Sequence, residues 1–314
     1  MWCSLRNETD RAPDLLEGGM DDDATADVPL GHQRISEFTS ERQRLLRLSY
    51  RMLGSFTEAE DVVQDAWFRW ICVGDDVRTP AAYLTRVVTR LCLDRMKSAR
   101  ARREIYVGPW LPEPLVEPIE TEEAVADDVT VMLMLALERL SPLERAAFLL
   151  HDVFDVALTE IAVVLHREPA AVRKLASRAR KNVQNVRRRY SVGAAEADRL
   201  ARAFFAASRD GDVTALSALL ARDVEIHSDG GGKVLAFRNV IRGSDRALRL
   251  FGSARRKAAT PPILLRTARV DGLPGHLSLD PNGVLQTTAL EIRGGEIFTI
   301  YIVKNPEKLT HIVI

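Results

Sequence analysis

The chain has 314 residues, 46% of them hydrophobic, with Lys plus Arg and Asp plus Glu balanced at 44 each. That length suits two or three domains with sizeable cores. No stretch reaches the ~20 consecutive apolar residues of a membrane span, and the acidic N-terminus lacks the basic-then-apolar pattern of a signal peptide, so a cytoplasmic protein without membrane contact is expected. Cys3, Cys72 and Cys92 are too far apart for a metal knuckle or a disulfide framework and read as small hydrophobes in a reducing compartment.

Zero net charge averages over segments of opposite sign. Residues 86–103 carry Arg86, Arg90, Arg95, Lys97, Arg100, Arg102 and Arg103 against Asp94, and residues 167–189 carry nine basic residues against Glu168. Between them, residues 113–128 hold seven acidic residues and no basic one. Two basic modules flank an acidic connector.

Residues 1–34 are rich in Asp, Gly and Pro without periodicity and predict a disordered extension, with Met20 as an alternative start. A first helix is predicted over 35–53, stopped by Gly54. In "TEAEDVVQDAWFRW", residues 57–70, Ala59, Val62, Val63, Ala66, Trp67 and Trp70 form an apolar stripe, and Thr57 with Glu60 reads as a capping box. The opposite face sets Asp61, Gln64, Asp65 and Phe68 at i, i+3, i+4 and i+7. A ring beside two carboxylates suits a basic, partly apolar partner. Thr79 and Pro80 start a third helix with Leu84, Val87, Val88, Leu91 and Met96 on its apolar side and Arg86, Arg90 and Lys97 on the other.

Three prolines in "GPWLPEP", residues 108–114, end this helical region and open the connector. Helical pattern resumes near Val129, and "SPLE" at 141–144 is a second capping box. A short helix carrying Ile161, Ala162 and Leu165 then leads, through a three-residue break, to a longer helix opened by Pro169. The longer helix buries Val172, Leu175, Ala176, Ala179 and Val183 and shows Arg173, Lys174, Ser177 and Lys181, with Arg178 and Arg180 at its flanks. This is the layout of a helix-turn-helix. A basic helical hairpin in an ordinary bundle has the same layout, so on this segment alone DNA binding and a solvated face both stay open. After residue 193 come helices over about 194–207, 213–220 and 245–256, then strands such as 284–292 and 297–303 separated by the turns "DGLPG", "DPNG" and "RGGE". Helices followed by an antiparallel sheet predict an α+β domain.

Taken together, these segments resemble an extracytoplasmic-function sigma factor of bacterial RNA polymerase, in the sigma-70 family. "AEDVVQDAWFRW" resembles the region 2 helix that docks on the beta-prime subunit, which implies a core-polymerase contact by Asp61, Gln64, Asp65 and Phe68. "YLTRVVTRLCLDRMKSARARRE" resembles the segment that melts and reads the minus-10 element, implying contacts by Arg86, Arg90, Lys97 and Arg100. Melting asks for cations and a base pocket; with only Tyr83 nearby, that pocket would draw on the preceding loop. "LSPLERAAFLLHDVFDVALTEIAVVLHREPAAVRKLASRARKNV" is similar to region 4, implying minus-35 contacts by Arg173, Lys174, Ser177, Arg178 and Lys181. The chain departs from the family where Glu168 replaces a Ser or Thr cap and where Arg90 aligns with an Asn.

The last third resembles SnoaL-like α+β cones. With "WLPEP" in the connector, "DGGGK" at 229–233 and "NPEKL" at 305–309, the whole is similar to the SigJ-like subgroup, in which such a domain is fused in place of a separate anti-sigma protein. The implied organisation is a disordered extension (1–34), an all-α region 2 bundle (35–106), an acidic linker (107–128), an all-α region 4 helix-turn-helix (129–190) and the cone (194–314). The implied partners are core RNA polymerase, through its beta-prime and beta subunits, and promoter DNA. Asp229, Gly230, Gly231, Gly232, Lys233, Asn305 and Pro306 are expected to make a regulatory contact, and the acidic linker to occupy cationic channels of the polymerase. Three glycines suit a tight loop against another surface, although a simple hairpin turn needs nothing more. Cone folds also house ligands or catalysis, so a small-molecule sensor stays open, and His227, Asp229, His276 and Tyr301 are the acid–base candidates. No short motif ties them together, and no catalytic residue, cofactor or metal is expected. The competing class is a helix-turn-helix transcriptional regulator with a ligand-sensing or enzymatic cone, which leaves the Phe68 face without a task.

Overall fold

The computed structural model describes residues 30–73, 77–104, 106–117, 131–183, 193–257 and 260–313. The predicted extension over 1–29 and most of the acidic connector, 118–130, lie outside the described residues. Helices α1 (Leu30–Leu53), α2 (Phe56–Ile71) and α3 (Pro80–Glu104) form the first bundle. Its core holds Leu45, Leu48, Met52, Ala59, Val62, Trp70, Leu84, Val88 and Cys92. Gly54 closes α1 in the left-handed region at φ 71°. Two boundaries differ from expectation. Residues 30–34 are helical, and Arg34 donates to the carbonyls of Ile71 and Val73 while its own carbonyl accepts from Trp70 Nε1. The N-cap of α2 is Ser55, whose hydroxyl accepts from the Glu58 N–H at 3.1 Å; the Thr57–Glu60 box is not formed.

Helices α4 (Val131–Glu138), α5 (Pro142–Phe148, continuing into a π-helical turn at Leu149–Val153), α6 (Leu158–Leu165) and α7 (Pro169–Val183) follow. Ser141 and Glu144 make the expected capping box at α5. This second bundle does not stand apart from the first, because the two share one continuous apolar core. Arg145 crosses the seam fully buried, donating to Leu137 O at 2.9 Å and Met52 O at 2.7 Å and pairing with Glu138 at 2.8 Å.

The last domain carries α8 (Ala194–Asp210), α9 (Val213–Leu219) and α10 (Ser244–Lys257) against a seven-stranded sheet. Its strands are β1 (Val116–Glu117), β2 (Leu220–Asp229), β3 (Ile241–Arg242), β4 (Ile263–Val270), β5 (Leu273–Leu279), β6 (Leu285–Arg293) and β7 (Glu296–Val303), in the order β1-β4-β5-β6-β7-β2-β3. The sheet is mixed rather than antiparallel, because β2 runs parallel to β7. A parallel neighbour needs a long crossover, here α10 and three hairpin strands, so no adjacent-strand signal reports it. The helices cover one face, where Leu200, Phe204, Leu216 and Ala247 meet Leu290, Ile292, Ile297 and Ile300. On the other face Val270, Ala289, Tyr301 and Val303 are covered by Leu111 of the connector, Val131 of α4 and Leu309 of the tail. The residual space there is about 10 Å³. Helix α4 is thus sandwiched, which explains why "VMLMLALE" is apolar all round.

The connector's short β1 adds an edge strand to β4, with Val116 opposite Val270. Beside it, Asp271 at φ 47° accepts from the Leu115 N–H at 2.8 Å and from Tyr50 Oη at 3.2 Å. Burial pushes the Asp271 carboxyl up to about 7, and the Tyr50 phenol is raised by burial and by that carboxylate.

Two stability measurements probe these seams. Arg145→Ala removes the ion pair of Glu138 and the donor of two buried carbonyls, so urea melts are expected to show a loss of about 3 kcal/mol. A carboxyl whose folded pKa lies above its unfolded value binds its proton more tightly when folded, so its stabilisation is present below about pH 4 and lost as pH rises through 7. Asp271→Asn keeps the acceptor oxygen and tolerates positive φ. The variant is therefore expected to gain melting temperature relative to wild type between pH 5 and 8, with the difference shrinking towards pH 4.

Candidate functional site

On α2, the stripe of Ala59, Val62, Val63, Ala66 and Trp70 is buried, and Trp67 packs on Phe38 with ring centroids 5.0 Å apart. The opposite face shows Gln64, and Phe68 is 54% exposed. Asp61 and Asp65 flank them, both reached by Arg95 of α3 at 3.4 and 3.0 Å. Along the sequence Arg95 is one member of a basic run. Here it also donates to Glu58 O and so ties the acidic face to the next helix. Both carboxylates stay half exposed, so the pairs are weak and exchangeable.

On α3, Arg86 lies over the Tyr83 ring at 5.6 Å, and Tyr83 in turn packs against Trp70 with ring centroids 5.7 Å apart and planes tilted by 44°. Lys97 pairs with Asp94 at the surface. Arg90 donates to His166 Nε2 at 2.5 Å, joining α3 to the turn between α6 and α7. Arg100 lies in the last turns of α3, its side chain outside the described residues, as are residues 74–76 of the loop expected to complete a base pocket.

His166 sits at φ 51° in the helix-turn-helix turn. Helix α7 begins with the Ala171 and Val172 N–H groups bonded to the Glu168 carbonyl. Val172, Ala176, Ala179 and Val183 are buried and Leu175 is partly so. Arg173, Lys174, Ser177, Arg178 and Lys181 are all exposed. Arg180 is held by Asp152 at 2.6 Å, pinning the helix to the π-helical turn.

The residues expected to make a regulatory contact converge. Asp229, fully buried at the end of β2, accepts from Tyr106 Oη at 2.6 Å, the Leu111 N–H at 2.8 Å, the Gly231 N–H at 3.0 Å and Lys308 Nζ at 2.8 Å. Lys308 also donates to the Leu111 carbonyl and lies over the rings of Trp110 and Tyr106 at 4.3 and 4.9 Å. Asn305 donates to Tyr106 Oη at 3.0 Å and caps the 3-10 turn Pro306–Lys308, while Lys233 pairs with Glu307. Burial and the Asp229 carboxylate push the Tyr106 phenol up. A Cβ on Gly231 would collide with Asn305, and Gly232 lies against Val107. The glycine loop, which opens the connection between the antiparallel strands β2 and β3, is therefore also apposed to two other segments. Tyr106, Trp110 and Lys308, absent from the sequence assignment, complete the cluster; the clue was that the connector motif and the tail motif both hold aromatic or basic residues beside prolines.

Of the acid–base candidates His227 and Tyr301 meet, while Asp229 and His276 are engaged elsewhere. His227 on β2 pairs with Glu225 and packs on Tyr301 at 5.3 Å, while Asp229 belongs to the cluster above. His276 is on the helical side of the sheet against Phe204 and Phe205, where burial pulls it down to about 4. An open groove of about 690 Å³ between α8 and the start of β4 is lined by Arg202, Phe205, Arg209, Pro262 and Ile263 among others. No described helix is long and apolar enough to cross a membrane, and no described His, Cys, Asp or Glu cluster suits a metal.

Residues 38–102 match the family model of sigma-70 region 2, and residues 130–183 match that of sigma-70 region 4. The chain is 36% identical over 294 residues to the ECF RNA polymerase sigma factor SigJ of Mycobacterium tuberculosis, covering 88% of this chain and 93% of that protein. It is 32% identical over 275 residues to the probable ECF sigma factor SigI of the same organism, covering 85% and 92%. The crystal structure of M. tuberculosis SigJ superposes with a TM-score of 0.68 at 33% identity, over 88% of this chain and 98% of that one. The helical regions, the acidic Phe68 face, the basic α7 face and the fused α+β domain thus have one explanation: the chain belongs to the extracytoplasmic-function sigma factors of the sigma-70 family.

Proposed function

We propose that this sigma factor, acting in the cytoplasm, docks on the beta-prime subunit of core RNA polymerase through Asp61, Gln64, Asp65 and Phe68, with further contacts to the beta subunit. Arg86, Arg90, Lys97 and Arg100 serve the minus-10 element and Arg173, Lys174, Ser177, Arg178 and Lys181 the minus-35 element. The cone domain is regulatory rather than catalytic and acts in cis, through Asp229, Gly230, Gly231, Gly232, Lys233, Asn305 and Pro306. One observation carries the regulatory reading: Arg90 of region 2 is hydrogen-bonded to His166 of region 4. The two promoter elements are about 25 base pairs apart, roughly 85 Å of duplex at 3.4 Å per pair. Reading both requires the two regions to separate, and the cone domain grips the connector that runs between them. A tethered domain holds such a contact at an effective concentration near millimolar, so even a weak grip is populated.

Multi-round run-off transcription tests the regulatory reading. With matched amounts of protein, a chain ending at Val303, which loses Asn305, Lys308 and Leu309, is expected to transcribe more than the full chain. A chain ending at Ser191 is expected to transcribe less, because Val131 and Leu111 lose the sheet that covers them. Equal transcription from all three would remove cis regulation and move the sensor and enzyme readings ahead.

The docking and reading faces have their own checks. Asp61→Arg with Asp65→Arg sets cations beside Arg95 and is expected to abolish core-polymerase binding in a pull-down while leaving the circular dichroism spectrum unchanged. Arg173→Ala and Lys181→Ala are expected to weaken promoter binding in gel shifts. Where each touches phosphate, the salt slope falls by ~0.9 per contact; a base contact costs ~1–3 kcal/mol at one position. Unchanged binding by both would return α7 to a solvated face.

A further inference from the structure

The stretch from Leu111 to Leu115 alternates between two surfaces. Leu111 and the backbone of Leu115 are held by the cone, while the Leu115 side chain packs on the sigma core: Leu111 donates to Asp229 and accepts from Lys308, and Leu115 exchanges two bonds with Asp271, its N–H donating to the carboxylate and its carbonyl accepting from the Asp271 N–H, each at 2.8 Å. Between them Glu113 turns the other way. Its N–H donates to Gly54 O at 3.0 Å, and its carboxylate, 8% exposed, accepts from the Phe56 N–H at 2.7 Å, the Thr57 N–H at 3.1 Å and Ser55 Oγ at 2.7 Å. Pro112 and Pro114 restrict φ on both sides, which stiffens this alternation. On the region 2 side, a Cβ on Gly54 would stand 2.7 Å from Trp110, so that corner is shaped to admit the connector.

The consequence falls on α2. A helix leaves its first N–H groups without intrahelical partners, and an anion there also meets the positive end of the helix dipole. Ser55 Oγ accepts from the Glu58 N–H and itself donates to Glu113, while Phe56 and Thr57 give their N–H groups to that carboxylate from outside region 2. We infer that Glu113 is a positioning residue for polymerase docking: by holding Leu111 and Leu115, the cone domain seats the carboxylate that closes the first turn of α2, the helix carrying Asp61, Gln64, Asp65 and Phe68. This rests on the assignment of that face to core polymerase. It gives the cone a supporting route to the docking helix, opposite in sign to its hold on the gap between regions 2 and 4; in the chain ending at Val303 the release of that gap is expected to outweigh the weaker cap.

Hydrogen exchange on the full-length chain, resolved at single amides by NMR, tests the route. Glu113→Ala is expected to speed exchange at Phe56 and Thr57 about fivefold, the usual worth of a cap, with Glu58 changed less and α7 unchanged. Glu113→Gln keeps one acceptor oxygen and is expected to rescue part of the protection. Lys308→Met, in the tail, is expected to speed the same two amides, and combining it with Glu113→Ala to add nothing further. Tyr106→Phe, which loosens the same grip and keeps the ring, serves as a second cone-side variant should Lys308→Met fail to fold. Core-polymerase affinity of full-length Glu113→Ala, followed by fluorescence anisotropy, is expected to fall several-fold. Cone-side variants that leave Phe56 and Thr57 unchanged, additive effects in the double variant, or wild-type affinity for Glu113→Ala would overturn the inference. Retained polymerase binding by Asp61→Arg with Asp65→Arg would instead overturn the docking face, and the exchange results would stand without it.

Discussion

The arrangement of this molecule depends on one buried carboxylate. Asp229 ends β2 with no solvent access, and a bare charge there would be untenable. It is sustained by donors from three separate parts of the chain: Tyr106 and Leu111 of the connector, Gly231 of the glycine loop and Lys308 of the tail. Lys308 is equally well provided, with the Leu111 carbonyl and two aromatic faces in addition to the carboxylate. Buried pairs of this kind add little net stability over an apolar alternative, but they penalise every arrangement that separates the partners. What Asp229 specifies is therefore registry. The connector lies along the sheet in one alignment, which places Leu111 over the apolar patch and Glu113 at α2.

From that alignment the contacts between domains follow. The connector and α4 cover a sheet face that would otherwise present Val270, Ala289, Tyr301 and Val303 to solvent. Helix α4 in turn joins the sheet to the shared core of the two sigma regions, since Leu133, Met134 and Leu137 face that core while Val131 faces the sheet. Arg145 and the Arg90–His166 contact fasten the same seam at its buried and exposed ends. The strand β1 pairs with the last two residues of β4 at one edge of the sheet, and the two-residue β3 pairs with β2 at the other. One connector thus serves as edge strand, core cover and helix cap, and displacing it would disturb all three.

Much of the functional layout was legible in local patterns. The 3.6-residue stripes of α2, α3 and α7, Gly54, Pro80, the Ser141–Glu144 box and the turn before Pro169 are short-range features whose partners lie within a few residues. The faces carrying Phe68 and Arg173 follow directly, because a helix that buries one stripe must expose the other. The features misread or missed have distant partners. Thr57 was a reasonable cap until a carboxylate from residue 113 satisfied its N–H and left Ser55 to begin the helix. The first turn of α1 depends on carbonyls at residues 71 and 73.

The sequence by itself determined most of the helices and the hairpin strands of the last domain, their order, the identity of the two helical regions and the motifs "WLPEP", "DGGGK" and "NPEKL", since these rest on periodicity, capping and local turn chemistry. Only the tertiary structure decided that β2 runs parallel to β7, that regions 2 and 4 share a core, that Arg95 spans Asp61 and Asp65, and that the three motifs meet at Asp229. The reason is physical: a buried polar group must find its partners wherever packing brings them, and nothing in the spacing along the chain records how far away they lie.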